Sequence, residues 1–240
     1  MTAKPPRMKI IPQRYVPPFE NGDRMDQPTF HALYETTPPG FKAELVGGVV
    51  YMASPVSVNH GRPHRVLTSW IDAYAQHTEG TEWFSDLTII LADSNEPQPD
   101  LTLILLPEFG GFTQENDRGF LVGPPELVIE VAVSTAAIDL NAKRHDYYLY
   151  GVQEYLVVEV KTQTVHWFKR GKSAFQVLKP AADGSIRSKQ FPGLWLNPDA
   201  VFERSPKALL ETLHLGIASP EHAKFIAKLN KKINKPRKTS

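Results

Sequence analysis

The segment GPPELVIEVAV, residues 123–133, gives the strongest indication of the fold class. After the Pro124-Pro125 pair it is almost continuous in Leu, Ile and Val. Such a run is typical of a strand that is buried on both faces of a sheet. Glu130 interrupts the run, and a charge inside such a strand is costly unless it is paired or bound to a metal ion. We therefore expect a central strand over Glu126–Val133 that carries one functional acid.

A second apolar run, Leu101–Leu106, predicts another buried strand, and Asp100 stands directly before it. The restricted φ angle of Pro99 would set how this strand begins and where Asp100 points. If the two strands are neighbours, Asp100 and Glu130 converge on one cation, and magnesium prefers such oxygen ligands. Taken singly, Asp100 is also explained as a turn cap, and Glu130 as an edge-strand residue that faces solvent. The pair together predicts a metal site.

The periodicity along the rest of the chain indicates helices before, between and after the strands. Gly47-Gly48 joins two short strands as a hairpin turn. The further predicted segments are helices over Asp26–Tyr34, Asn59–Thr78, Asp139–Tyr150, Pro206–Leu215 and Pro220–Ile233, and strands over Glu82–Leu91, Glu154–Val160, Val165–Lys169 and Ala174–Leu178. This order predicts a mixed α/β domain with a central mixed sheet flanked by helices. We expect that domain at 26–204, an extended proline-rich arm at 1–25 and a helical basic tail at 205–240.

Composition excludes several classes of function. The chain has no cysteine, so disulfides, thiolate zinc sites and a cysteine nucleophile are ruled out. No window approaches the roughly 18 apolar residues that span a bilayer, and the N-terminus has no secretory pattern. We therefore expect a cytoplasmic protein with no membrane partner. His60 and His64 are four residues apart, but no glutamate stands where a zinc protease needs its base.

Seven blocks of sequence occur in an order that resembles the Uma-type family of restriction endonucleases, a branch of the PD-(D/E)XK nuclease superfamily. The blocks are Glu44-Leu45-Val46-x-Gly48, Ser54-Pro55 with His60, Gln98-Pro99-Asp100, residues 123–131, Ser134-Thr135, Asp139 with Lys143 and Tyr147, and Gly151-Val152-x-Glu154-Tyr155. The resemblance runs from about Asp26 to Glu203. It implies a four-stranded, restriction-endonuclease-like mixed sheet flanked by helices and a site for Mg²⁺ (or Mn²⁺).

The resemblance also implies roles for single residues. Asp100 and Glu130 would hold the metal and Glu44 would complete its shell. The superfamily has Lys two positions after the second acid, whereas this chain has Ala132 there. In the Uma-type branch the basic role moves to the next helix, onto the position of Lys143; the alternative is that Lys143 is a surface lysine.

Three further residues are weighed as accessory to the site. His60 matches a recurring polar position of the family, and Tyr147 lies on the same predicted helix face as Lys143. A literal E-x-K, Glu159-Val160-Lys161, makes Lys161 a competitor for the basic role. It abuts a predicted turn, where an exposed charge needs no functional explanation.

The main hypothesis is divalent-metal-dependent hydrolysis of phosphodiester bonds in nucleic acid, with DNA as the expected substrate and a homodimer as the expected assembly. Backbone phosphates would be met by basic side chains. These are Arg62, Arg65, Lys169 and Arg170. Two alternatives stay open: a catalytically degenerate nucleic-acid-binding module, which Ala132 favours, and an interaction protein whose ends, 1–24 and 216–240, mediate assembly. The tail, with seven Lys or Arg and no acid from Lys224 to Lys238, fits nucleic acid or plain solvation.

Overall fold

The computed structural model describes residues 15–52 and 55–233. Most of the predicted arm, the serine of the Ser54-Pro55 block and the last seven residues of the predicted tail lie outside these residues. The strands are β1 Ala43–Val46, β2 Val49–Met52, β3 Thr81–Ser85, β4 Ile89–Ile90, β5 Leu101–Leu105, β6 Gln114–Glu115, β7 Leu121–Val122, β8 Leu127–Ala132, β9 Glu154–Glu159, β10 Thr164–Arg170, β11 Phe175–Val177, β12 Ile186–Arg187 and β13 Trp195–Leu196. The helices are α1 Gln27–Tyr34, α2 Val58–Gln76, α3 Arg144–Leu149, α4 Lys207–Ile217 and α5 Pro220–Ile233, with short 3₁₀ turns at Pro107–Phe109 and Asp199–Phe202 and a π-helical segment at Ile138–Lys143.

The centre of the protein is a six-stranded mixed sheet in the order β11-β10-β9-β8-β5-β3. Strands β8 and β9 are parallel, and every other neighbouring pair of this sheet is antiparallel. This confirms the predicted fold class. The sheet has six strands rather than the four that the resemblance implies, because β3 pairs with β5 at one edge and β11 pairs with β10 at the other.

The pairing of β5 with β8 brings the two predicted acids together. Both strands are buried along their whole length, as their apolar sequences predict. In their register Leu101 lies opposite Ile129, so continuing it by one residue places Asp100 opposite Glu130. Side chains that are directly opposite in an antiparallel pair project from the same face. The two acids therefore share one face at one end of the sheet.

The two faces of the sheet bury different clusters. One face packs against α2 through side chains such as Leu67, Trp70 and Ile71, all fully buried. Apolar side chains of α4 and α5, including Leu209 and Leu229, belong to this same cluster.

The division of the chain into arm, domain and tail stays a prediction. Among residues 15–52 and 55–233, no helix is long and apolar enough to cross a membrane.

Two predicted elements differ from the structure in instructive ways. The single strand expected over Glu82–Leu91 is broken into β3 and β4, because Asp86 adopts a left-handed conformation with φ 53°. The helix expected over Asp139–Tyr150 begins as the π-helical segment and continues as α3. A π-helical turn is frequent at functional sites, and here it carries both Asp139 and Lys143.

Glu154, at the start of β9, is a buried acid that organises the loop before β13. Its carboxylate accepts hydrogen bonds from Trp167 Nε1 at 3.1 Å, Ser188 Oγ at 2.8 Å, and the backbone N–H groups of Lys189 at 2.6 Å and Gln190 at 2.9 Å. Burial raises the pKa of Glu154 to about 7, although the four donors oppose that rise. Above this pH the carboxylate satisfies all four donors.

We expect Glu154→Gln to lower the free energy of unfolding by about 2–4 kcal/mol at about pH 5, below the folded pKa of Glu154, because an amide can accept at only one of its two positions and leaves buried donors unpaired. Urea unfolding measures this loss. Glu159→Gln, a change at a less buried position of the same strand, is the matched control and should cost under about 1 kcal/mol. Equal stabilities of the two variants would contradict the structural role of Glu154.

Candidate active site

A buried lysine lies at the centre of the candidate site. Lys143 is the last residue of the π-helical segment, and its side chain is only 6% exposed. Its Nζ donates to Glu130 Oε1 at 3.0 Å and contacts Glu44 Oε1 at 2.8 Å and Asp139 Oδ1 at 3.8 Å. The alternative that Lys143 is a surface lysine is therefore wrong.

The charge state of Lys143 follows from its neighbours. Burial alone lowers the pKa of this amine, but the carboxylates of Glu130, Glu44 and Asp139 outweigh burial and raise the pKa well above its ordinary value. The side chain is an ammonium throughout the physiological range. It acts as a hydrogen-bond donor and a positive charge, and it is no base.

Glu130 is held in place from one side only. Lys143 Nζ and the hydroxyl of Tyr147, at 3.1 Å, both donate to its Oε1. Its Oε2 accepts no hydrogen bond from residues 15–52 and 55–233, so this oxygen is left for another ligand. Burial raises the pKa of Glu130, with Lys143 opposing the rise and the nearby acids adding to it. A carboxyl in this state gains from a second cation beside it.

Asp100 is fixed by two donors from different elements. The backbone N–H of Val131 donates to its Oδ2 at 2.6 Å, which ties Asp100 to the strand that carries Glu130. His60, from the first turns of α2, contacts its Oδ1 through Nε2 at 3.0 Å. The hydrogen bond that His60 donates to Asp100 raises the pKa of His60, and burial opposes that rise. His60, His64 and Asp100 form one contiguous group, since His64 Nε2 lies 3.3 Å from the carbonyl oxygen of Asp100.

Glu44 reaches the site from the β1–β2 hairpin. Gly47 and Gly48 both have positive φ angles, 58° and 74°, as the predicted two-residue turn requires. This turn sets the register that pairs Glu44 with Tyr51. The other oxygen of Glu44, Oε2, accepts from the backbone N–H of Gln98 at 3.3 Å, beside Pro99 and Asp100.

These side chains line one cavity of about 560 Å³. Its charged lining comprises the carboxylates of Glu44, Asp86, Asp100, Glu130 and Asp139 and the ammonium groups of Lys42 and Lys143. Acids outnumber lysines, so a cation is electrostatically favoured there. The exposed pair Lys42–Asp86, at 2.6 Å, lies at this cavity.

The remaining predicted residues lie elsewhere. Lys161 is exposed in the turn after β9 and does not line the cavity, and the accompanying Glu159 pairs with His166 at 3.3 Å. Tyr150, at the end of the same predicted helix as Lys143, contacts Ser94 Oγ at 3.1 Å and does not line the cavity. Of the two lysines proposed for the basic role, Lys143 lines the cavity and Lys161 does not. The roles of both stay predictions.

The four predicted phosphate-binding residues do not line the cavity either. Arg62 is exposed on α2, whereas Arg65 donates to the carbonyl oxygen of Arg204. Arg170 donates to the carbonyl oxygens of Tyr148 and Val152, and Lys169 is half-buried on the same strand. Their role in nucleic-acid binding stays a prediction.

Asp139 and Tyr51 are among the cavity residues that were missing from the predicted site. Asp139, buried and bonded to Thr135 Oγ1 at 2.6 Å, stands four residues before Lys143, a spacing that places both side chains on one helix face. Tyr51 lies opposite Glu44 in the hairpin register. Both signals were present in the sequence, in the helical spacing and in the length of the hairpin turn.

The donor set suits a hard divalent cation. No group of three His, Asp or Glu side chains within residues 15–52 and 55–233 is arranged to hold a metal ion by itself. Magnesium does not need such a group, since it is usually bound by one or two carboxylates and completed by water and substrate phosphate. Asp100 and Glu130 are two oxygen donors at the same cavity, so they fit this requirement.

A mixed sheet flanked by helices, with two acids from neighbouring strands beside a buried lysine, defines a nuclease-like fold. The Uma2 family, described as "putative restriction endonuclease", matches residues 27–199, and the chain belongs to this family. The chain therefore belongs to the family although Ala132 stands where the wider superfamily has lysine. No curated protein matches the sequence.

One solved structure has a similar fold. It is the crystal structure of "a putative nuclease belonging to DUF820" from Anabaena variabilis, with a TM-score of 0.53 and 13% sequence identity. The similarity covers 72% of this chain and 98% of that chain. It establishes the likeness of fold.

Proposed function

We propose that this protein hydrolyses phosphodiester bonds of nucleic acid, with DNA as the substrate, and that it requires Mg²⁺ or Mn²⁺. One observation carries the proposal: the buried ammonium of Lys143 lies between Glu130 and Glu44, at a cavity that Asp100 also lines. Membership of the Uma2 family supports the nuclease class. A homodimer and a cytoplasmic location stay predictions.

Asp100 and Glu130 would hold the cation. For Glu44 to add a third oxygen, its Oε1 would have to move away from Lys143 Nζ, which it contacts at 2.8 Å. When bound, a divalent cation supplies polarisation of the phosphodiester and lowers the pKa of a water molecule. Phosphate oxygens are repelled by the excess of carboxylates at this cavity. Binding of the scissile phosphate should therefore depend on the cation as strongly as cleavage does.

The residues of the chain then hold and orient these groups. Lys143 and Tyr147 donate to one oxygen of Glu130 and leave the other free to bind the cation. Val131 N–H and His60 orient Asp100 through different oxygens, Oδ2 and Oδ1, so a cation would use a remaining lone pair of one of them. Because Lys143 remains an ammonium, it also offsets negative charge that develops on the phosphate oxygens in the transition state. Lys143 thereby takes the place that a lysine at position 132 would occupy.

A cleavage assay tests the proposal. The wild-type protein should nick supercoiled plasmid and cut single-stranded oligonucleotides in Mg²⁺ or Mn²⁺, and EDTA should stop both reactions. Asp100→Ala should reduce the rate by roughly 100-fold to 1000-fold, because it removes a proposed ligand of the cation. Asp183→Ala, which breaks an exposed ion pair with Arg187, is the control and should leave the rate unchanged.

A second candidate function is a nucleic-acid-binding module without catalysis. It is favoured by Ala132, which stands where the superfamily has lysine. That candidate predicts binding without cleavage in both the wild type and Asp100→Ala. If the wild type binds nucleic acid but cuts none in either metal, the proposed hydrolase function is wrong.

A further inference from the structure

We infer that the substrate of this site is an unpaired strand, one nucleotide of which enters the cavity with its base against the ring of Tyr51. The inference rests on the proposed function, because it names the form of nucleic acid that the same site accepts. It extends that function through three observations: the depth of the acids, the size of the cavity and the position of Tyr51.

The proposed reacting groups lie deep. The side chains of Glu130 and Lys143 are each 6% exposed, and those of Asp100 and Glu44 are 16% and 20% exposed. A phosphate can approach Glu130 only by entering the cavity. In a duplex the phosphates are carried on a stiff helix with a persistence length of about 150 base pairs. A phosphate of a paired strand would have to leave that helix before it reached these acids.

The cavity has the capacity for a small part of a nucleic acid. Its volume of about 560 Å³ falls within the range of roughly 300–1000 Å³ that is typical of small-molecule sites. A site of this size fits a nucleotide and its phosphate, whereas a duplex is far larger. Enzymes that act on a base in such a pocket take single-stranded substrate or move one nucleotide out of the helix, and a phosphate that must reach acids at this depth meets the same steric limit.

Tyr51 supplies a surface for a base beside the acids. It is the direct cross-strand partner of Glu44, so both side chains leave the hairpin on the same face, with Cβ atoms about 5 Å apart. Both residues line the cavity. The ring of Tyr51 makes no aromatic pair within the described part of the chain, unlike Tyr34, which stacks on Phe30.

Apolar side chains continue the wall next to Tyr51. Met52, Val56, Val133 and Ile138 all line the cavity, and Val56 is 66% exposed. An aromatic ring with apolar neighbours binds the faces of unstacked bases without regard to sequence, at about 1–3 kcal/mol for each base. Bases in a duplex keep their faces stacked on one another. This wall therefore favours an unpaired strand over a paired one.

The test compares one labelled 20-nucleotide strand alone and annealed to its complement. Binding is measured by fluorescence anisotropy of the full-length protein in Ca²⁺, and cleavage in Mg²⁺ or Mn²⁺. We expect the single strand to bind at least about tenfold more tightly than the duplex and to be cut faster. Tyr51→Ala should weaken single-strand binding by about tenfold, and Tyr51→Phe should restore most of that affinity because it keeps the ring.

The outcomes separate this inference from the proposed function. Equal binding and equal cutting of single strand and duplex would overturn the inference and leave the hydrolase function standing. A preference for the single strand without any cleavage would support the inference and overturn the hydrolase function. Single-strand affinity that is the same in Tyr51→Ala as in the wild type, with the variant folded by circular dichroism, would overturn the role of Tyr51 and with it the inference.

Discussion

Changing Lys143 to Met is expected to abolish cleavage of nucleic acid and to lower the free energy of unfolding by about 3–5 kcal/mol. The stability loss arises because methionine has a similar length but no charge, so the carboxylates of Glu130 and Asp139 stay buried without their ammonium partner. Activity falls because Glu130 loses a donor that orients it and the phosphate loses a nearby positive charge. Urea unfolding and the oligonucleotide cleavage assay measure the two effects.

The stability loss in Lys143→Met should grow with pH. Burial already raises the pKa of Glu130 and of Asp139, with Lys143 opposing the rise in each case. Removing the ammonium raises both pKa values further. A carboxyl whose pKa is higher in the folded than in the unfolded state contributes stability below its unfolded pKa and loses it as the pH rises through its folded pKa. The difference between wild type and variant should therefore be smaller near pH 4 than near pH 8.

Lys161→Met is the matched control, because it makes the same change in the competing E-x-K segment. Lys161 is exposed in a turn, so this variant should keep wild-type stability within about 0.5 kcal/mol and should keep its activity. Loss of activity in Lys161→Met with activity retained in Lys143→Met would assign the basic role to Lys161 and contradict the site described above.

Changing Glu130 to Gln is expected to reduce metal-dependent cleavage by roughly 100-fold to 1000-fold while the protein stays folded. Glutamine keeps the shape of the side chain and one acceptor for Lys143 and Tyr147, but it loses the negative charge that a divalent cation needs. The affinity for Mn²⁺, measured by isothermal titration calorimetry, should fall together with the rate.

Glu82→Gln is the matched control, because it makes the same chemical change at an exposed position of β3. This control should leave both the rate and the Mn²⁺ affinity unchanged. A Glu130→Gln protein that cuts at the wild-type rate would remove Glu130 from the catalytic site.

The sheet was predictable from sequence where strands are buried on both faces. The apolar runs around Leu101–Leu105 and Leu127–Ala132 need no further information, because few other structures bury such runs. The break between β3 and β4 was missed, since it depends on the positive φ of Asp86, a conformation that aspartate adopts only occasionally. The π-helical start of the helix with Lys143 has no sequence signature either.

The candidate site was predictable to a similar degree. Asp100 and Glu130 could each be picked out within its own strand. Their position opposite one another depends on the register of β5 and β8, which sequence periodicity does not determine. The position of Tyr51 opposite Glu44 could have been predicted, because a two-residue Gly-Gly turn fixes which residues of a hairpin are opposite. The internal hydrogen bonds of Arg65 and Arg170 could not be predicted, because composition does not show which arginines are already engaged within the fold.

The proposed metal site is tested most directly by the anomalous density of a crystal of the wild-type protein soaked in Mn²⁺. We expect one strong peak within coordination distance, about 2.2 Å, of carboxylate oxygens from both Asp100 and Glu130. Crystals that bind Mn²⁺ at other positions only, or that show no peak beside these two acids at millimolar Mn²⁺, would contradict the proposed metal site.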